Sequence, residues 1–229
     1  LYVAPERLSS RSFVELIGDI KVQLLAVDEA HCVSQWGYDF RPDYLKIGLL
    51  RKILGELPIA AFTATADPQT RDDIVKCLFT SKPKIFVNGF DRPNIRLSCK
   101  LKNQPRQQVL DFVRNHKDQS GIIYCGSRAK TEVLAQALNH NGHRSEFYHA
   151  GMAAVKRQQV EAHFQSEDGL IVCATIAFGM GIDKPDIRYV IHADLPKSIE
   201  NYYQEIGRSG RDGLPADSLL LYGCLLYTS

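Results

Sequence analysis

The chain has 229 residues, enough for one large or two small domains. Its 45% apolar and 24% charged content is ordinary for a globular protein, and no apolar run reaches the roughly 18 residues that cross a bilayer. Twenty-eight Lys and Arg against 26 Asp and Glu leave a net charge of +2, so any nucleic-acid site must come from local patches.

The chain opens on Leu1 without a signal peptide and reads as cut from something longer. A first strand is expected at residues 23–27, an apolar run closed by Asp28-Glu29-Ala30-His31. Two adjacent acids at the carboxyl end of a buried strand lie where α/β proteins bind ligands. ATP hydrolysis asks for such a pair: one carboxylate to hold Mg²⁺ and one to orient and deprotonate the attacking water. A surface acidic pair is the plainer alternative. Residues 32–41 follow, with the only Trp, Trp36, and with Phe40 and Arg41 close by. Aromatics beside a cation offer a stacking surface for unpaired bases, or else a hydrophobic plug. A second strand is expected at 59–62, ending in Thr63-Ala64-Thr65-Ala66. The hydroxyls of Thr63 and Thr65 suit bonds to the carboxylates or to a phosphate, or an ordinary Ser/Thr turn. Asp67 then caps a helix over Pro68–Leu78, with Pro at its first position, and 85–87 reads as a third strand.

Residues 88–105 hold two prolines and no steady period, which predicts a linker and the first edge of a second domain. Helices are expected at 106–116, 130–141 and 155–164, from apolar residues three and four apart. Strands are expected at 122–124, 170–174 and 189–192. The run from Gly121 to Arg128 has the glycine spacing of a phosphate loop, but its interior is strand-like. No Gly-Lys dipeptide occurs anywhere in the 229 residues, so the lysine that grips ATP is missing from this sequence. After the strand at 170–174, glycines 179 and 181 permit close backbone approach to a ligand, and Asp183 can accept from a ribose hydroxyl or an arginine. Gln204 and Glu205, at the end of a helix, lead into Gly207-Arg208-Ser209-Gly210-Arg211. Guanidinium forks suit the charge on a transferring γ-phosphate. The six cysteines form no C-x-x-C pair, which argues against zinc within this chain and for reduced thiols. The β-α-β-α rhythm predicts an α/β fold with parallel sheets.

These residues together resemble the RecQ family of DNA helicases, within helicase superfamily 2, over nearly the whole chain. Leu1–Leu8 resembles the segment between phosphate loop and acidic pair; Asp28–His31 resembles motif II, 34–42 the aromatic-rich loop, 62–66 motif III, 124–128 motif IV, 173–183 motif V and 204–211 motif VI. The resemblance implies two RecA-like domains: an incomplete first at 1–88, a linker at 89–105, a second at 106–222 and a truncated or foreign tail at 223–229. It implies that Asp28 coordinates Mg²⁺, that Glu29 is the catalytic base, and that Arg211 is the arginine finger supported by Arg208. His31 and the aromatic loop would link strand binding to hydrolysis, with Thr63, Thr65, Gly181, Asp183 and Gln204 on the ATP side. Trp36, Phe40 and Arg41 would sense single-stranded DNA, with Arg7, Ser127, Arg128 and Thr175 as backbone contacts by position. Family members use ATP and Mg²⁺ to unwind duplex DNA 3′ to 5′ in repair and recombination. The implied protein is a monomer without membrane contact, cytoplasmic in a bacterium or nuclear in a eukaryote. Zinc belongs only to a C-terminal region this sequence does not contain. Tyr38 stands where the family commonly has His, and the last residues match nothing in it.

Overall fold

A computed structural model describes residues 1–34, 40–55, 57–87, 89, 91–179 and 182–223. The chain divides into two units, Leu1–Gly89 and Phe90–Ser229.

In the first unit a 3-10 turn at Pro5–Ser9 leads into α1 (Arg11–Gly18), which buries Phe13 and Ile17, four residues apart on one face. Strands β1 (Leu25–Val27) and β2 (Ile59–Ala61) pair in parallel, Leu25 opposite Ile59 and Val27 opposite Ala61. Between them run 3-10 turns at Ala30–Val33 and Pro42–Lys46 and α2 (Ile47–Leu54). Helix α3 (Pro68–Leu78) starts where expected: the Asp67 carboxylate accepts from Thr70 N at 2.7 Å. Val27, Cys32, Tyr44, Leu50, Ile74 and Leu78 pack into this unit's core with residues of α1.

The second unit runs β3 (Ile95–Leu101), α4 (Pro105–Arg114), β4 (Gly121–Tyr124), α5 (Arg128–His140), β5 (Ser145–Tyr148), α6 (Ala154–Ser166), β6 (Ile171–Ala174), β7 (Tyr189–His192), α7 (Ile199–Ile206) and β8 (Ala216–Tyr222). Its sheet is wholly parallel, in the order β3-β8-β7-β4-β6-β5. Successive side chains of a strand face opposite ways. Ile123, Cys173 and Ile191 therefore pack with α4 and α5, while Ile122, Val172 and Val190 pack with α6 and α7. Every residue of β4, β6 and β7 is buried, as parallel strands covered on both faces must be.

Two expectations need correction. Residues 85–87 form no strand; Phe86 is 76% exposed, and among the described residues no strand pairs with this apolar run. The edge of the second domain expected within residues 88–105 is β3, which pairs with β8 from Ile95–Ala216 to Leu101–Tyr222. The second unit thus begins near residue 90 and not at 106. Strands β5 and β8 were not anticipated, and neither were α1 and α2. The glycine-spaced run from Gly121 to Arg128 is β4 with its following turn, as its strand-like interior implied. Gly121 is required there by packing, since a Cβ would stand 2.1 Å from the Tyr189 ring. Of the expected tail, residues 224–229 lie outside the described residues.

Candidate functional site

The acidic pair sits where β1 ends. The strands are stitched past their ladder by Phe62 N to Val27 O at 2.8 Å and Ala30 N to Phe62 O at 2.9 Å. Glu29 occupies the left-handed region, at φ 49° and ψ 42°, a conformation that costs a non-glycine residue on the order of 1–3 kcal/mol. Its amide donates to Asp28 Oδ1 at 2.9 Å. Both acids are exposed. Among the described residues no three His, Cys, Asp or Glu side chains gather as a metal cage. A lone exposed carboxylate such as Asp28 fits Mg²⁺, which keeps most of its waters and completes its shell from phosphates.

His31 is the buried link of this edge, at 2% exposure. Its Nδ1 lies 2.9 Å from Thr63 Oγ1 and 3.4 Å from Glu29 Oε2. The Thr63 hydroxyl donates to Thr65 O at 3.0 Å. With that proton committed, Nδ1 is the nitrogen that carries hydrogen toward Thr63. Hydrogen bonds therefore join His31, Thr63 and Thr65, and Glu29 Oε2 stands beside the same imidazole nitrogen at 3.4 Å. Thr63 is linked to the acid's neighbourhood through the imidazole.

The aromatic loop is tied to the same turn. Arg41 N donates to Cys32 O at 3.0 Å, closing the loop one residue past His31, and Ser34 Oγ donates to Asp73 Oδ2 on α3 at 2.7 Å. Phe40 is half-buried and Arg41 exposed at the loop's end. Trp36 lies outside the described residues. Arg7 is exposed in the turn Pro5–Ser9.

In the second unit the carboxyl ends of β4, β6 and β5 are neighbours. They bring Ser127, Arg128 and Thr175 to one sheet edge. The Ser127 hydroxyl accepts from Lys130 N at 3.4 Å and caps α5. Arg128 is exposed in the first turn of that helix, with Nη1 2.9 Å from the point a Gly151 Cβ would occupy. Thr175 N donates to Tyr148 O at 3.1 Å. Two acceptors here went unpredicted. Glu132 lies 2.9 Å from the nearly buried His149 Nε2, and Asp194, past β7, takes bonds of 2.8 Å from Lys102, Lys130 and Gly126 N. Burial raises the Asp194 pKa, but these three donors outweigh it and hold the carboxyl at about 2. Neither residue stands in a recognisable motif; a lone acid two residues past a buried strand is the only signal Asp194 gives.

The two arginines at the end of α7 differ in setting. Arg208 Nη1 donates to Gly179 O, and a Cβ on Gly179 would lie 2.4 Å from the Arg208 Cζ. The close approach that this glycine permits, at φ 120°, is thus to a guanidinium of the chain itself. Arg211 is 36% exposed and bonds through Nη1 to Asp183 Oδ1 at 2.8 Å and to Ile182 O at 3.3 Å. Of the two partners open to Asp183, the structure shows the arginine. Gln204 is half-buried on α7, and Gly181 lies outside the described residues. The turn bearing both arginines is braced by Arg92, whose guanidinium donates to the carbonyls of Gly207, Ser209 and Gly210, and by Asn94 Nδ2 to Gly210 O at 2.8 Å. Both bracing residues fall in the stretch expected to be linker, so no motif pointed to them.

Residues 104–213 match the helicase conserved C-terminal domain family. The chain is 50% identical to the ATP-dependent DNA helicase RecQ of Pasteurella multocida over 97% of its own length and 35% of that protein. It is 47% identical to the RecQ-like DNA helicase BLM of Xenopus laevis, over 97% of the chain and 17% of that protein. Its fold is similar to that of the DEAD-box helicase Mss116 bound to single-stranded RNA and UDP-BeF, at a TM-score of 0.75 and 19% identity, over 96% of this chain and 48% of the other. The chain spans about a third of the bacterial relative's length. Identity of 47–50% to these relatives over 97% of its own length places the chain in the RecQ family of helicases.

Proposed function

We propose that this chain is the part of an ATP-dependent DNA helicase that reads DNA and responds to the γ-phosphate, with Glu29 as the base that deprotonates the attacking water. One observation carries the reading: Glu29 stands 3.4 Å from the His31 imidazole, which is bonded to Thr63, and Arg41 N at the end of the aromatic loop donates to the next residue, Cys32. Asp28 would hold Mg²⁺. The bound ion would offset charge on the phosphate oxygens. Glu29 orients water, and His31 transmits a change in the loop to Glu29. Arg211 is the finger because its guanidinium is the more exposed of the two, and Arg208, clasped by Gly179 O, supports it. Phe40, Arg41 and Trp36 stack on unpaired bases, while Arg7, Ser127, Arg128 and Thr175 meet the DNA backbone. Translocation runs 3′ to 5′, serving repair and recombination.

The test is DNA-stimulated ATP hydrolysis by the protein extended to the length of its relatives. Glu29→Gln should lower turnover by roughly 100-fold or more while nucleotide binding persists. Turnover near the unsubstituted rate would overturn the assignment of the base. For the 229 residues alone, the absence of any Gly-Lys dipeptide favours a second reading: a single-stranded DNA binder with almost no turnover.

A further inference from the structure

His192 closes β7 and is fully buried. Its Nε2 lies 2.6 Å from Oε2 of Glu205, which sits in the last turn of α7 at 6% exposure. The Tyr124 ring stacks on the imidazole at 5.3 Å, and the Tyr202 ring packs against it at 5.0 Å. His192 Nδ1 is buried without a partner. That fixes the proton. A neutral ring with hydrogen on Nε2 donates to the Glu205 carboxylate and leaves only a lone pair unmet. A charged ring would bury an unpaired N–H donor, which costs more. Nε2 is therefore the ring nitrogen that donates, and it does so to the Glu205 carboxyl group.

Two routes lead from this pair to Arg208. The first is the main chain: Arg208 N donates to Glu205 O at 3.3 Å, so the carboxylate anchors the turn from which the arginine springs. The second is Tyr124. Its hydroxyl donates to Phe178 O at 3.3 Å, one residue before the Gly179 carbonyl that takes Arg208 Nη1. Arg208 and Glu205 both act on that phenol electrostatically.

We propose that His192 and Glu205 are positioning residues for the phosphate-facing arginines. They lock the end of α7 onto β7, so that Arg208 and then Arg211 are aimed before charge develops on the phosphate. Catalysis by preset dipoles and charges needs such aim, because reorganising them during the reaction forfeits the gain. The inference rests on the helicase reading and adds two residues that contact neither nucleotide nor DNA.

The experiment uses the protein extended to the length of its relatives, with DNA-stimulated ATP hydrolysis read at matched folded fraction. His192→Ala and Glu205→Ala should each lower kcat roughly 10- to 100-fold with the KM for ATP nearly unchanged, the signature of a misaimed group. The double substitution should cost no more than the worse single one, since the two act as a unit. Glu205→Gln keeps an oxygen that accepts from Nε2 and should recover most of the rate. A merely structural pair would lower the melting temperature and leave kcat intact in the folded molecules, which would overturn the proposal. If His192→Ala does not fold, the comparison of Glu205→Gln with Glu205→Ala decides: equal rates in the two overturn it. An unsubstituted protein that hydrolyses no ATP would instead sink the helicase reading itself.

Discussion

Gly179 shows how a single residue changes meaning once its neighbours are known. As sequence it is a glycine near a ligand; in the fold its missing side chain makes room for the Arg208 guanidinium, and its φ of 120° excludes a Cβ on strain alone. Gly179→Ala should therefore cost about 1–3 kcal/mol of stability and push Arg208 from its carbonyl clasp. Thermal melting together with ATP turnover in the extended protein checks this; an alanine variant with normal stability and rate would show that the clasp is dispensable. Thr63→Val tests the other end. It removes the acceptor for His31 Nδ1 and should lower DNA stimulation of hydrolysis more than basal hydrolysis, by roughly tenfold. Equal losses in both would place Thr63 outside the coupling route. What sequence reading reached at this scale was residue identity: the acids, the histidine, both arginines. It did not reach the left-handed backbone of Glu29 or the direction of the Thr63 hydroxyl. Both follow from how β1 and β2 are stitched, which spacing does not encode.

Elements were legible in proportion to how one-sided their environment is. The central strands β4, β6 and β7 are buried on both faces and read as unbroken apolar runs, so their positions were anticipated within a residue. β3, Ile-Arg-Leu-Ser-Cys-Lys-Leu, and β5, Ser-Glu-Phe-Tyr, are the two edges of that sheet and carry polar residues. They pass for loop because their defining contact is the partner strand. The same blindness hid Asp194, whose three donors come from the end of β3, the turn after β4 and the first turn of α5. Its carboxyl is held at about 2, against about 4 in an unfolded chain. A depressed carboxyl contributes stability above the unfolded value and loses it as pH falls through the folded one. Asp194 should thus supply about 1–2 kcal/mol at neutral pH, discounted for partial exposure, that vanishes between about pH 4 and 2. Asp212, paired with Arg188, and Asp217, paired with Arg96 and His116, are also held low and add to the same acid limb. Denaturant titrations across that range should show a shallower acid loss for Asp194→Asn. An unchanged slope would mean that the lysines exchange Asp194 for water at no cost.

The two units differ in how much of their own sheet each one covers. In the first, the sheet is two strands of three residues, and Leu24 and Phe62 beside them are 55% and 57% exposed. Two-stranded sheets are marginal in water, and this one gains its stability from α1 to α3 on the Val27, Leu50 and Ile74 side. In the second, six parallel strands lie between helices on both faces, and β4, β6 and β7 expose nothing. Local opening free energy follows buried apolar contact, so the amides of these strands should exchange only through global unfolding of their unit. Those of β1 and β2 should exchange by local opening, at least about tenfold faster. Hydrogen exchange read by mass spectrometry on the 229-residue chain separates the two cases, because peptides covering 25–27 and 59–61 do not overlap those covering 121–124, 171–174 and 189–192. Equal protection in both sets would mean that the first unit's small sheet draws stability from contacts beyond its own core. The predicted order has a functional side: the acidic pair stands at the end of the more labile sheet, whereas the arginines stand at the end of α7, in the unit with the rigid sheet. Under the proposed function, phosphate charge would then be met by a preset guanidinium, while the strand end that carries Asp28 and Glu29 keeps the freedom to shift.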